Sequence, residues 1–399
     1  MDRRSFVVTA AGGILLTLDA RRALAAGLPA GAIESGALEA LPGKVPLIKR
    51  SFRPPNYETP VDLFDSAITP NRAFFVRWHL ANIPNIDAAS WRLKVGGPAA
   101  ATPAEYSLDE LKRSFDNVEI TAVCQCSGSR RGLSDPHVPG VEWGYGAVGN
   151  ARWKGVRLRD VLNKAGVKKD AIEIAFDGAD RGVLPATPDF QKSIPAWKAL
   201  DENTLLAWEM NGEPLPHLNG APLRVIVPGW TATYWMKMLT SIDALDKPLV
   251  TFWMNTAYRV PKGKFAFADR FLTQENDAST PITEMVVNSI ITNIKDGQKI
   301  PVGQDAEVRG IAWDGGYGIR NVDVSADGGR NWTTAELGPD LGRYSFRAWR
   351  YAFRPAKPGD YPVMARATNR QGSTQTAELI FNPPGYHNNV MQRIVLVAA

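Results

Sequence analysis

"TAVCQCSGSRRG", residues 121–132, holds both cysteines of a 399-residue chain and follows them with two arginines. Apolar and polar residues alternate through Ile120, Ala122 and Cys124, a period of two that predicts a strand. In an extended chain Cys124 and Cys126 lie two residues apart, too close for an unstrained disulfide. At least one thiol therefore has another task. Cys124, inside the strand, reads as a core thiol, because free cysteine is commonly buried. Cys126, at the strand end before the Ser127-Gly128-Ser129 turn, reads as the exposed member.

The neighbouring cations narrow the chemistry. Arg130 and Arg131, with Arg77 elsewhere, supply more guanidinium than a lone thiolate needs. Planar cationic donors suit an oxyanion, so the set points to a metal-bound thiolate facing one. The four histidines, His79, His137, His217 and His387, form no zinc pattern with the cysteines or acids, and C-x-x-C-H is absent, so no covalent haem is encoded. A hydrolase pairing Cys126 with a distant histidine stays formally open. "GYGAVG" (144–149) matches a dinucleotide fingerprint in letters only. The turn-rich "PHVPGVEW" precedes it and "NARWKG" follows, where a strand and an apolar helix are required. It reads as a Gly-rich loop lining some other pocket.

Further out, residues 1–25 have the three parts of an export signal: Arg3-Arg4, an uncharged apolar run from Phe6 to Leu18, and Ala23-Leu24-Ala25 as cleavage site. The paired arginines followed by Ser5-Phe6 indicate the twin-arginine route, which carries folded proteins into the periplasm. Removing this leader takes away four arginines and two aspartates and lowers the formal charge from +5 to +3. So mild a charge, without a long basic run, gives no nucleic-acid surface, and no later apolar stretch is long enough to span a membrane.

Residues 26–55 read as an extended arm. Residues 56–278 mix strands ("FFVRWHLANIP", "WRLKVGG", "APLRVIVPGW") with short helices: "SLDELKRSF", whose Ser107 and Glu110 form a capping box, and "VRLRDVLNKAG", ended by Gly166. This is an α+β domain without the regular rhythm of a doubly wound sheet. Residues 279–399 carry short strands with Gly-rich turns: "AEVRGIAW", "NVDVSADGGRNW" with its Asp327-Gly328 turn, "RAWRYAF", "YPVMARATNRQG" and "TAELIF". That spacing predicts an all-β immunoglobulin-like sandwich.

Five ordered motifs resemble the sulfite oxidase family of molybdopterin enzymes: "ITPNRAFFVRWHL" (68–80), "QCSGSRR" (125–131), "GAVGNARWKGVRLRDVL" (146–162), "SIPAWKALDENTLLAWEMNGEPLP" (193–216) and "APLRVIVPGWTATYWMKML" (221–239). The likeness runs from about residue 56 to the C-terminus and is nearest to bacterial haem-free sulfite dehydrogenases. It implies a molybdopterin-binding catalytic domain followed by a dimerisation domain, with molybdenum bound through Cys126. It also implies an anion pocket with Arg77, Arg131, Trp143 and Arg347, and Tyr258 pointing at the metal oxo group. Pterin contacts would come from His79, Asp180, Arg224 and Lys237. Where the family often has a histidine, this chain has Asn219, with His217 two residues earlier as a possible replacement. The implied reaction is oxidation of sulfite to sulfate, with electrons passed to an external c-type cytochrome by a homodimer. Two relatives share the metal-thiolate domain. One is the sulfane dehydrogenase subunit of a sulfur-oxidising complex; the other is a periplasmic reductase of protein methionine sulfoxide, which lacks the C-terminal sandwich.

Overall fold

The computed structural model describes residues 37–263, 265 and 278–399. The expected leader, residues 26–36 of the expected arm and most of the join before the C-terminal unit lie outside the described residues. The cysteine-bearing stretch is a strand, as its alternation predicts. β7 (Asn117–Gln125) pairs antiparallel with β8 (Val148–Arg157), setting Cys124 opposite Gly149. β8 pairs with β11 (Leu205–Met210), whose other edge takes β12 (Glu213–Pro214) and β13 (Arg224–Ile226).

A second, mixed sheet has the order β10 (Gln191–Pro195), β9 (Glu173–Gly178), β14 (Leu239–Leu245), β5 (Leu93–Gly96), β6 (Ala104–Tyr106), with β14 and β5 parallel. One apolar core joins residues of both sheets, among them Trp153, Phe176 and Ile242, with Trp235 from the loop between them. Helix α1 (Leu108–Ser114) opens on the predicted capping box: Glu110 N–H donates to Ser107 Oγ at 3.2 Å and Ser107 N–H to Glu110 Oε2 at 2.7 Å. Helix α2 (Leu158–Lys164) stops before Gly166, whose φ of +64° is the left-handed turn expected there.

From Leu38 onward the expected arm is not an isolated extended segment. β1 (Leu38–Ala40), β2 (Pro46–Ser51), β3 (Asn56–Glu58) and β4 (Val76–Arg77) form a four-stranded sheet. Leu47, Tyr57, Val76, Trp78 and Met238 make its own small core. Of "FFVRWHLANIP" only Val76 and Arg77 are strand. The rest is irregular, and Phe74, Phe75 and His79 within it line the cavity described below, as does Arg77.

The C-terminal unit is the predicted sandwich. One sheet runs β17 (Asn288–Ile291), β19 (Ala306–Trp313), β23 (Arg347–Phe353), β22 (Glu336–Leu337); the other β18 (Lys299–Ile300), β25 (Arg393–Ala398), β24 (Gly359–Asn369), β20 (Ile319–Ser325), β21 (Thr333–Thr334). "AEVRGIAW" and "RAWRYAF" are strands from end to end. "TAELIF" is not: beyond one bridge from Thr376 to Val390 it is irregular, and the last strand is β25 instead. The reason is tertiary. The chain after Thr376 crosses to the catalytic domain, where the carbonyls of Pro384 and Val390 accept from Arg131 Nε (2.9 Å) and Arg130 Nη1 (2.8 Å).

Candidate active site

Seven of the sequence-predicted residues meet in one cavity at the end of β7: Cys126, Arg77, His79, Tyr258, Asn219, Arg224 and Lys237. Cys126 sits where the chain leaves the strand, its N–H donating to Ala147 O at 3.0 Å and its carbonyl accepting from Ser129 N–H at 2.9 Å. Cys124 lines the same cavity, since residues two apart on a strand share a face. Cys126 is therefore not distinguished by exposure: the two cysteines are 7% and 2% exposed. What differs is their company. Arg224 Nη2 lies 3.9 Å from Cys124 Sγ, and burial pushes that thiol's pKa up.

Arg77, on β4, donates from Nη1 to Asn56 Oδ1 at 3.1 Å. His79 stacks on Phe190 with ring centroids 3.7 Å apart, and its Nε2 hydrogen-bonds the Tyr258 hydroxyl. Burial, then the charges of Arg77, Lys237 and Lys192, hold His79 well below the usual imidazole range, so the ring is neutral. Burial likewise keeps Tyr258 protonated. Tyr258 occupies the left-handed region at φ +59°, a conformation that a bulky residue adopts only when its surroundings hold it there.

Arg224, on β13, donates from Nη1 to Asn219 O at 2.8 Å and lies over Trp153, 5.0 Å from the ring centroid. Lys237 sits 4.2 Å from the Trp78 ring centroid, and burial pushes it down to about 8. Between the two candidates left open by the sequence, Asn219 lines the cavity and His217 does not. The Asn219 amide is fixed: Oδ1 accepts from Lys44 Nζ at 2.6 Å and Nδ2 donates to Phe75 O at 3.2 Å. Lys44 comes from the stretch read as an arm and also donates to the carbonyls of Asn71 and Phe74.

Four expected residues stand off the cavity wall. Asp180 is buried, its carboxyl raised by burial and drawn back by the Lys237 charge. Trp143 is wholly buried core. Arg131 is one layer back, 5.1 Å from the ring centroid of Tyr386, which in turn stacks on Tyr258 at 5.7 Å and 9°. Arg347 is a correction: it lies in a separate cavity of the sandwich beside Arg370 and 3.2 Å from Asp340, while its neighbour Phe346 is the side chain that shares a core with Val123 and Val148 of the catalytic domain. "GYGAVG" packs against β3, with Gly144 N–H donating to Glu58 Oε2 at 2.7 Å, and is not part of the central cavity. Sequence reading missed Lys192 and Tyr386. Neither has a local signal: Lys192 sits between the polar Gln191 and Ser193 of β10, and Tyr386 lies in an irregular segment.

Residues 79–253 match the family described as "Oxidoreductase molybdopterin binding domain", and residues 279–398 the "Mo-co oxidoreductase dimerisation domain". The chain is 30% identical over 381 residues to a sulfite oxidase of Arabidopsis thaliana, covering 89% of this chain and 95% of that one. The chain belongs to the sulfite oxidase family. It is also 35% identical over 369 residues to the mitochondrial sulfite oxidase of Homo sapiens, covering 88% of this chain and 66% of that one, so it spans about two thirds of that relative's length. Among solved structures, the sulfane dehydrogenase SoxCD from Paracoccus pantotrophus shares the fold with a TM-score of 0.73 at 24% identity, over 90% of this chain and 87% of that one.

The cavity fits the molybdopterin that this family binds. Its lining has three cations, Arg77, Arg224 and Lys237, and no carboxylate. Arg224 Nε and His79 Nδ1 are buried without a hydrogen-bond partner in the chain. Buried donors of that kind call for an anionic or polar ligand. Among the described residues no three His, Cys, Asp or Glu side chains converge on a cation site, so a metal at Cys126 must bring further ligands of its own, as one carried on a pterin does.

Proposed function

We propose that this chain oxidises sulfite to sulfate, consuming one water and releasing two electrons and two protons, and that the electrons pass to an external c-type cytochrome. The observation that carries this reading is the meeting of Cys126, Arg77 and Tyr258 with the basic wall of Arg224 and Lys237 in one carboxylate-free cavity, in a chain of the sulfite oxidase family. A bound molybdopterin would supply the two-electron redox and oxygen-transfer chemistry that the side chains lack.

The chain's own residues do the rest. Cys126 Sγ would hold the metal, a soft donor suited to a metal that changes oxidation state. Arg224 and Lys237, with the amide of Asn219, would hold the pterin and its phosphate. Arg77 binds a sulfite oxygen, and its charge favours the dianion over neutral competitors. Tyr258 remains a hydroxyl donor, and neutral His79 beside it is free to accept that proton and to orient the hydroxyl. The walls of Phe74, Phe75 and Phe190 keep water from these charges, which strengthens each contact.

The paired arginines and apolar run near residue 3 support export by the twin-arginine route to the periplasm. The dimerisation domain supports a homodimer through the sandwich. Purified protein should contain one molybdenum per chain and reduce cytochrome c when sulfite is added. A substrate panel with a protein-bound sulfane and a methionine sulfoxide peptide separates the related activities. Molybdenum present, with sulfite inert and the sulfane oxidised, would overturn the assignment.

A further inference from the structure

Lys192 is a fully buried cation that the reading above leaves without a task. It projects from β10 and donates from Nζ to the carbonyl of Trp253 at 2.6 Å. The ammonium also lies against two aromatic faces, 4.8 Å from the ring centroid of Tyr234 and 5.2 Å from that of Tyr258.

The carbonyl it reaches belongs to a short helix, α3 (Phe252–Asn255), that stops three residues before Tyr258. The last carbonyls of a helix have no partner within it, and leaving them bare in a protein interior is costly. Here Phe252 O accepts from the N–H groups of Thr256 and Ala257, at 3.0 and 2.9 Å. Trp253 O accepts from Lys192, and Met254 O from Arg259 Nη1 at 3.2 Å. The helix end is thus closed by side-chain cations. The chain then turns through the left-handed Tyr258 into β15 (Arg259–Pro261).

We infer that Lys192 is a positioning residue for Tyr258: by capping the Trp253 carbonyl and packing on the tyrosine ring, it holds the strained turn that aims the hydroxyl into the cavity beside His79. Burial, and then Arg259, push its pKa down to about 7, and an amine in either protonation state still donates to the carbonyl. The cap therefore outlasts the charge. A buried methionine would fill the same space with no donor, releasing the carbonyl and the turn together.

This inference rests on the sulfite-oxidising reading of the cavity, and its test has two arms that fail separately. In hydrogen exchange read by mass spectrometry, Lys192→Met should speed exchange in peptides covering residues 252–260 and leave β7 and β8 unchanged. In kinetics, Lys192→Met should lower kcat about 10-fold with a KM for sulfite within about 2-fold, and the Lys192→Met/Tyr258→Phe pair should be no slower than Tyr258→Phe alone. Full additivity in that pair, or unchanged exchange at 252–260, overturns the inference. Lys192→Gln keeps an N–H for the carbonyl and should stay within about 3-fold of the unaltered protein. If Lys192→Met does not fold, a folded, cofactor-loaded Lys192→Gln as slow as Tyr258→Phe overturns the inference instead. If the unaltered protein does not oxidise sulfite, the proposed function fails while the exchange comparison still decides the role of Lys192.

Discussion

Cys124 and Cys126 face one cavity from alternate positions at a strand end, so the sulfur that holds a metal is decided by what surrounds each. Cys124 is pressed under the Arg224 guanidinium and burial keeps it a thiol. Cys126 stands on a turn where its N–H and carbonyl are both tied down, which fixes the backbone that presents its side chain. Cys126→Ser should therefore abolish sulfite turnover, with pterin still measurable in the purified protein, whereas Cys124→Ser should keep most of it. Reversed effects would move the metal to Cys124. Cys126, Arg77 and Tyr258 could be named in advance only through the family resemblance, since residue type alone leaves Tyr258 as readily a core aromatic; the structure brings the three to one cavity. Tyr386 could not be named. It meets Tyr258 only after the chain has built the whole sandwich and returned, and no local pattern encodes that meeting.

At the scale of elements, periodicity predicted β19 and β23 to the residue and both helix caps, since those pieces are fixed by alternation and by local hydrogen bonds. It failed where long-range partners decide. "FFVRWHLANIP" alternates like a strand, but Arg77 and His79 are drawn to the cavity, and the supposed arm is a sheet whose Lys44 braces Asn219. "GYGAVG" shows the same lesson for glycine. A Cβ on Gly146 would lie 1.9 Å from Thr59 O, so the glycine allows β8 to begin directly against the chain leaving β3. Gly146→Ala has to push those backbones apart and should cost about 1–3 kcal/mol. A lowered denaturant midpoint with an unchanged slope checks it, and an unchanged midpoint would show that the contact yields freely.

The whole molecule is organised around a basic interior lined by residues before 260, with the sandwich bonded to the segment that leads away from Cys126. Arg130, wholly buried at φ +66°, donates to Val390 O and Ser289 O at 2.8 Å each, and Asn388 Nδ2 donates back to Arg130 O at 2.9 Å. These bonds lock the sandwich onto the segment that carries Cys126. Three lysines have folded pKa values depressed from 10.5, chiefly by burial: Lys44 and Lys192 to about 7, and Lys237 to about 8. Between those values and 10.5 the unfolded chain holds protons that the folded chain has released, so stability rises with pH. Two groups reverse the slope at higher pH: Cys124, raised above its ordinary 9.0, and buried tyrosines such as Tyr258, raised above 10.0. Protein prepared without cofactor should therefore melt at a higher temperature at about pH 9 than at about pH 7. A bound anion favours the charged amines, so cofactor-loaded protein should show a shallower rise. For the same reason inorganic phosphate should raise the melting temperature of the cofactor-free protein more at pH 7 than at pH 9. Scanning calorimetry of both forms across this range checks the sign. A melting temperature that falls from pH 7 to pH 9, with phosphate inert, would mean that these lysines keep their charge without the cofactor, and that the cavity is not the anion site its lining describes.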